Sequence, residues 1–359
     1  MATTVVDDRP LVALTMGDVA GVGPEVIARA WADSPLLELA RPLVVGSPAI
    51  LARAVARFGA GAEVRTISDP DEADPTPRSI PCLPGSDVDL DAVPPGVVDP
   101  RAGRAAHDFL DKAVDLALAG RIDAIVTLPL NKAALHAAGV RHPGHTEILA
   151  ERCGTPDHAM MLYLGPPSGG DAGLGVIHAT LHVALREVFG LLTVASVAAK
   201  IALADRAMRP LTGGRAPRVA VAGLNPHAGE DGLFGREEIN IIAPAVELAR
   251  SQGIDVNGPI AADTLFGLAL AGEFDAVVAM YHDQGHVALK TLGFDRAVNV
   301  TLGLPIVRTS VAHGTAFDIA WRGLASTSSL IEAVRVAARI VSGRRALGFA
   351  METGINSGS

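Results

Sequence analysis

The sequence predicts an α/β protein of two domains built on mainly parallel sheets, and three observations carry that expectation. The chain has 359 residues, more than one hydrophobic core usually serves. Short, continuous apolar runs alternate with helical patterns, and a strand that is apolar on both faces belongs to a sheet covered on both sides. Hydrophobic residues make up 49% of the chain against 19% charged, enough apolar material for two packed cores. A cleft between two such domains is the default place for a ligand.

The runs expected as strands are, in order, "LVALTMGD" (11–18), "RPLVVGS" (41–47), "DAIVTLPL" (123–130), "GLGVIHATLH" (173–182), "RVAVAGLNPH" (218–227) and "FDAVVAMYHD" (274–283). Between them, "AAHDFLDKAVDLALAG" (105–120) and "EEINIIAPAVELARSQG" (237–253) repeat apolar residues at helical spacing and stop at glycine. The stretch from Ser68 to Arg101, rich in Asp and Pro and without a period, is expected to be a long surface connection holding a short strand at "SIPCL". The tail "METGINSGS" is expected to fray.

A formal net charge of −9 and a pI near 5.6 argue against a broad nucleic-acid or anionic-membrane surface, which needs clustered Lys and Arg. They leave room for an anionic small molecule where a few basic residues converge. The two cysteines, Cys82 and Cys153, have no metal-like spacing and form no disulfide framework, which suits a reducing cytoplasm. The opening "MATTVVDDRP" has no basic and apolar leader, and no run approaches the roughly 18 apolar residues of a membrane span.

In open α/β folds ligands gather at the carboxyl ends of strands, and here those ends are polar. The first strand runs into "GDVAGVGPEV", where Gly17, Gly21 and Gly23 permit close backbone approach around Asp18, and Pro24 suits a first helical turn. A tight strand-to-helix turn explains the same residues without a ligand. Three strand-like runs deliver His182, His227 and His282 to equivalent ends, and three neutral imidazoles with an open fourth position describe a catalytic metal site. Asp283, beside His282, and Asp263 in "GPIAADTLF" are candidates for a carboxylate that orients a metal-bound ring, with a turn or helix cap as the alternative for each. "RHPGHTEILAER" puts His145 and Thr146 ahead of a helix with Glu147 in its first turn, a place for phosphate or simply a cap. Lys290, Asn299 and Arg308 follow in "LKTLGFDRAVNVTLGLPIVRTS", where a Lys and an Arg in an acidic protein mean either a local anion site or solvated surface charge.

The motifs "TMGDVAGVGPE", "LPLNKAALHAAG", "HPGHTEILAE", "GLNPHAGEDGLFGREE", "GPIAADTLF", "YHDQGHVALK" and "VNVTLGLPIVRTSVAHGTA" occur in one order from about Leu11 to Gly323. Together they resemble the 4-hydroxythreonine-4-phosphate dehydrogenases of pyridoxine biosynthesis, including relatives that act on four-carbon acid-sugar phosphates. The resemblance implies a homodimer with a shared active site, and two α/β domains per subunit with an interdomain cleft, like the isocitrate and isopropylmalate dehydrogenases. It also implies NAD or NADP and one divalent ion, whether zinc, magnesium, manganese or cobalt. Residues 1–130 and 305–359 would form a discontinuous first domain on the cofactor side, and 131–304 a second carrying the metal site and dimerisation. Metal ligation falls to His182, His227 and His282, with His282 reaching the partner's site. Substrate binding falls to His145, Thr146, Lys290, Asn299 and Arg308, and catalytic work to Lys132, Asp263 and Asp283. Lys132 is a candidate proton donor or carboxylate partner, or an ordinary helix-start lysine. "HGTAFDIAWRG" (313–323) is similar to the adenosine-holding "HGSAPDIAGKG" loop of isopropylmalate dehydrogenases, so His313, Gly314 and Thr315 join Gly17, Asp18, Gly21 and Gly23 as cofactor candidates, with Phe317 and Trp321 departing from the pattern.

The implied reaction is oxidative decarboxylation of a phosphorylated four-carbon 3-hydroxy acid, 4-hydroxy-L-threonine 4-phosphate giving 3-amino-2-oxopropyl phosphate and CO2. Asn131 in "LPLNK" and His286 in "HDQGHVALK" stand where the biosynthetic enzymes commonly show "GPVHK" and "HDQGLPVLK". In those two places the chain is similar to dehydrogenases of D-threonate or D-erythronate 4-phosphate. Val19 takes the place of the usual proline in "GDPAG". The "GHTE" and Arg308 elements, absent from a relative that oxidises a terephthalate cis-diol, favour a phosphorylated substrate. Alternatives from other classes are a metal-dependent phosphohydrolase and an acyltransferase of related architecture. A hydrolase usually calls for a bridging carboxylate and often two metals, which a His-dominated set does not supply.

Overall fold

The computed structural model describes residues 7–32, 35–59, 61–142, 144–155, 158–166, 172–293 and 296–348. The tail expected to fray lies outside them. The chain divides into two compact units, one of residues 1–156, 304–342 and 349–359, the other of 157–303 and 343–348.

In chain order the first unit holds β1 (Leu11–Thr15), α1 (Gly23–Ala32), α2 (Leu36–Leu39), β2 (Arg41–Gly46), α3 (Pro48–Phe58), β3 (Glu63–Thr66), β4 (Ser79–Pro84), α4 (Pro100–Leu118), β5 (Ala124–Thr127), α5 (Lys132–Ala137) and α6 (His145–Arg152). The second holds β6 (Ala159–Leu164), β7 (Leu174–His178), α7 (Leu185–Leu191), α8 (Val194–Met208), β8 (Val219–Ala222), α9 (Ala243–Ser251), β9 (Val256–Ile260), α10 (Ala262–Leu270), β10 (Ala276–Ala279), α11 (His282–Gly293) and β11 (Ala297–Leu302). The chain then returns to the first unit with β12 (Val307–Ser310) and α12 (Ser328–Ala346).

The first unit's strands run in the order β3-β4-β2-β1-β5-β12, every neighbour parallel. In the second unit the order is β11-β6-β7-β10-β8-β9, with β7, β10, β8 and β9 parallel and β6 antiparallel to both neighbours. The expected α/β class with mainly parallel sheets is borne out. The second core packs Leu162, Val176, Ala220, Val277, Leu289 and Ala297, which explains why these strands read as unbroken apolar runs. Among the described residues, no single helix is long and apolar enough to cross a membrane.

The short strand expected at "SIPCL" is borne out, and it lies inside the sheet between β2 and β3 with a buried middle. Three sequence expectations are corrected. Strand β7 stops at His178, so His182 sits in the loop beyond it. His282 opens helix α11 instead of ending a strand. Residues 131–156, placed by the sequence in the second domain, pack with the first unit. The reason is α5 against α4: a Cβ on Gly103 of α4 would lie 2.2 Å from the Ala134 carbonyl oxygen, so the two helices touch backbone to backbone.

Asp275, only 3% exposed, fixes the start of the second sheet. Its carboxylate accepts two hydrogen bonds from Arg215, at 2.9 Å each, and three from Arg218, through the backbone N–H at 2.8 Å and the side chain at 3.2 and 3.1 Å. Burial pushes its pKa up, but the Arg215 and Arg218 guanidinium groups and the Arg218 amide outweigh that and hold it well below the usual carboxylate range. The stabilisation is present above the ordinary value of 3.8 and is lost as pH falls through the depressed native value. Asp275→Asn should therefore lower unfolding free energy in urea at pH 7 by about 2 to 3 kcal/mol, since it leaves two half-exposed guanidinium groups without their carboxylate. An unchanged midpoint would show the bridge to be ornamental.

Candidate active site

In the first unit, basic groups gather where β5 ends. Asn131 caps α5 by accepting from the Ala134 amide at 2.9 Å, leaving Lys132 as the first helical residue. Helix α6 opens at His145 behind Gly144, which has no side chain to cap it. A Cβ on Gly144 would lie 3.5 Å from the Glu147 carboxylate and 3.8 Å from the Lys132 side chain, which places both beside this helix start. Arg308, on β12 and 5% exposed, donates to the Thr127 hydroxyl at 2.7 Å. Burial draws its pKa down to about 10, with the Glu147 charge acting in the opposite direction. His145 is held well below the ordinary imidazole range, first by desolvation and then by the Arg308 charge, against a hydrogen bond with the Leu128 backbone that favours protonation. A neutral ring, an uncapped helix start carrying Thr146 and a desolvated guanidinium together suit a phosphate.

The glycine turn after β1 is occupied by the chain itself. A Cβ on Gly17 would meet the Pro129 carbonyl at 2.3 Å, one on Gly21 the Thr315 carbonyl at 2.9 Å, and one on Gly23 the Met16 carbonyl at 2.2 Å. These glycines are explained by backbone packed on backbone. The Val22 amide donates to Thr315 at 3.1 Å, the Trp321 indole N–H to the Val19 carbonyl at 2.9 Å, and Gly323 and Ala325 to the Glu25 carboxylate at 3.3 and 3.1 Å. Trp321, the departure from the adenosine-loop pattern, thus ties segment 313–325 onto the turn. Gly314 is open, with no atom within 4 Å of an added Cβ, and His313 Nε2 is buried without a hydrogen-bond partner. Asp18 is fully buried. Its Oδ1 accepts from Ala20 at 2.9 Å, and Oδ2 has no partner. Burial first and the Asp99 charge second push its carboxyl up to about 6, against the Ala20 hydrogen bond.

In the second unit, imidazoles cluster where β7 and β10 end. Gln284 fixes the start of α11, accepting from the Met280 amide at 2.6 Å and donating to the Gly223 carbonyl at 2.7 Å. That places the His282 ring 5.6 Å from that of His182 and 3.9 Å from that of His286, with His178 a further 4.7 Å from His286. His282 Nδ1 lies 2.7 Å from the Asp283 carboxylate. Burial, followed by the neighbouring imidazoles, lowers His178 to about 3, and burial followed by the His282 and Lys290 charges lowers His286 to about 4. These two rings are neutral at physiological pH, the form that can donate a lone pair.

His227 stands in a separate loop, exposed, 3.7 Å from Glu230 and edge-on to Phe234. Its backbone is left-handed (φ 51°), as are Ala228, Glu230 and Asp231, a strained run that persists only if surrounding contacts impose it. The buried Glu238 supplies such contacts, accepting from the Leu224 and Asn225 amides at 2.7 Å each and from the Asn225 side chain at 2.9 Å. Asp263 is exposed in the first turn of α10. Asn299 on β11 holds its side-chain oxygen buried without a partner. Lys290 lies in the last turn of α11. Among the described residues, no group of three or more His, Cys, Asp or Glu side chains in one chain is placed to hold a metal ion. His178, Thr127 and Glu238 were not singled out by the sequence; for His178 the signal was a histidine closing the apolar run "LGVIH".

Residues 38–337 match the family described as pyridoxal phosphate biosynthetic protein PdxA. The chain belongs to the PdxA family. It is 46% identical over 332 residues, 92% of this chain and 96% of the relative, to the 4-hydroxythreonine-4-phosphate dehydrogenase of Desulforapulum autotrophicum. It is 45% identical over 331 residues, 92% of this chain and 99% of the relative, to the D-threonate 4-phosphate dehydrogenase of Pectobacterium atrosepticum. A crystal structure of 4-hydroxythreonine-4-phosphate dehydrogenase from Klebsiella pneumoniae aligns with a TM-score of 0.84 at 46% identity, covering 92% of this chain and 99% of that one. The resemblance read from seven ordered motifs is borne out, and this PdxA chain is an oxidoreductase of the dehydrogenase type.

Asp18 gives the first unit a measurable pH signature. Its native pKa is raised, so between 3.8 and about 6 the native state binds more protons than the unfolded one, and stability rises as pH falls through that window. Above it the buried carboxylate costs up to about 3 kcal/mol. Asp18→Asn in this PdxA protein should therefore be about 2 to 3 kcal/mol more stable than the parent at pH 8, the gap closing towards pH 4 in denaturant titrations. A gap of opposite sign at pH 8 would mean that the carboxylate is stabilising.

Proposed function

We propose that the chain catalyses NAD(P)- and divalent-metal-dependent oxidative decarboxylation of a phosphorylated four-carbon 3-hydroxy acid, with 4-hydroxy-L-threonine 4-phosphate giving 3-amino-2-oxopropyl phosphate and CO2. The observation that carries this reading is Arg308, desolvated beside the uncapped start of α6, in a PdxA chain whose relatives are named for phosphorylated substrates. D-Threonate 4-phosphate is the second reading, favoured by a relative of that name at nearly equal identity. Asn131 has a cap role that explains it without reference to substrate.

In this reading Arg308, His145, Thr146 and Lys290 hold the phosphate, and the partnerless oxygen of Asn299 accepts from a substrate hydroxyl or ammonium. Phosphate anchoring supplies positioning energy remote from the reacting carbon. NAD or NADP, when bound, would accept the hydride; Lys132, at a helix start, is the group that would return a proton to the carbon that loses CO2. His313, Gly314 and Thr315 are the cofactor contacts, while Gly17, Asp18, Gly21 and Gly23 shape the turn beneath them.

The donor chemistry fits a divalent ion: His282 offers Nε2 once Nδ1 is turned to Asp283, and His182 lies beside it. His182, His227 and His282 would hold the ion, which when bound acidifies the substrate hydroxyl and polarises the ketone. A single chain does not assemble the three, which favours a homodimer that completes the set. Val183, Leu185, Phe189 and Leu191, at and around α7, stand 39 to 62% exposed, an apolar face that calls for a partner. We assign the protein to the reducing cytoplasm on its two free thiols, one of them, Cys82, pushed up to about 12 by burial and so unreactive.

The test is NAD(P)H absorbance with 4-hydroxythreonine, threonate and erythronate 4-phosphates, with and without chelator. Reduction that requires both a phosphorylated substrate and a divalent ion is expected, and turnover of none of the three, or turnover indifferent to chelation, overturns the reading. Arg308→Met should raise KM for the phosphorylated substrate about 100-fold, the loss of roughly 3 kcal/mol of charge-assisted binding. Its thermal stability should stay within about 1 kcal/mol of the parent, because an apolar side chain replaces a desolvated charge.

A further inference from the structure

We propose that His178 and His286 are a positioning pair that sets the ring plane of His282, an inference that rests on reading His282 as a metal ligand. His286 is 7% and His178 4% exposed, and Nδ1 of the first lies 3.1 Å from Nε2 of the second. A hydrogen bond between two ring nitrogens at that distance needs one to donate and the other to accept, so neither ring turns alone. The other side of this pair is the His282 ring, stacked on His286 at 3.9 Å with planes 11° apart.

The Asp283 hydrogen bond does not hold His282 by itself. That carboxylate is 77% exposed, and an exposed acceptor on the adjacent residue swings with the ring it binds. A buried ring beneath, pinned by a second buried ring, removes that freedom. The backbone is built for the pair: a Cβ on Gly285 would fall 2.5 Å from His178 Nε2 and 2.6 Å from the Val176 side chain. Glycine between His282 and His286 thus lets α11 lie close enough to β7 for His178 to reach His286. The sequence marked His286 as a sign of substrate branch; its burial and its bonded nitrogen place it under a metal ligand instead of against a substrate.

The experiment compares the full-length protein with His286→Leu, His178→Leu and His286→Asn, the last keeping a polar group near the Nδ1 position. Divalent-ion affinity is read by competition with a chromophoric chelator, and the His282 ring by 15N-imidazole NMR of the metal-free protein. Expected are a loss of affinity of about 10- to 100-fold in both Leu variants, partial rescue in His286→Asn, altered His282 nitrogen shifts, and an unchanged KM for the phosphorylated substrate at saturating metal. Unchanged affinity and unchanged His282 shifts in both Leu variants would overturn the pairing role. A parent protein that binds no divalent ion would instead overturn the reading of His282 on which the pair depends. If either Leu variant fails to fold, His286→Asn decides alone, since parent-like His282 shifts with lost affinity contradict positioning through the ring.

Discussion

Desolvation of ionisable groups is the constraint on which the rest of this protein depends. Arg308 in one unit and His178 and His286 in the other are buried away from water, and burial is the leading cause of each shifted pKa. The consequences differ by chemistry. A desolvated guanidinium remains charged and gains from an anion. A desolvated imidazole loses its proton and presents a lone pair. One physical effect thereby leaves a charged guanidinium in the first unit and a pair of neutral imidazoles in the second.

The surrounding structure holds these groups against their preference for solvent. Gln284 bridges the ends of β10 and β8, so the first turn of α11 cannot drift. Glu238 accepts three hydrogen bonds under a run of left-handed residues that would otherwise relax. Glu25 and Trp321 bind segment 313–325 onto the glycine turn, which is packed too closely at Gly17, Gly21 and Gly23 for a side chain there. Asp275 is the contrasting case: its charge is met by two arginines, its pKa falls, and its work is to start a sheet.

Much of this was legible in the chain itself. Continuous apolar runs announced buried parallel strands, and motif order announced the family. The reach of strands was harder to read, because "GLGVIHATLH" and "FDAVVAMYHD" keep apolar residues beyond the point where pairing stops. Reading the first of them through to His182 concealed His178, the histidine that closes the paired strand. Strands β3, β6, β9, β11 and β12 were not read as strands; β3 is largely exposed, and β9 carries Gly258-Pro259, a pair that breaks the usual pattern. Glycines 17, 21 and 23 invited a ligand, but their crowding by Pro129, Thr315 and Met16 is a tertiary fact with no local signature. The burial of Arg308 likewise follows from strand order, since only the placement of β12 beside β5 brings it to Thr127.

Buried His286, bonded to buried His178, lies under the ring of His282, the residue proposed to bind a metal ion. Anomalous scattering from crystals of the cobalt-loaded protein tests that assignment most directly. The account predicts a peak bonded to the side-chain nitrogens of His282 and His182, with His286 stacked behind and unligated. Cobalt bound only at carboxylates, or direct ligation by His286, would contradict it.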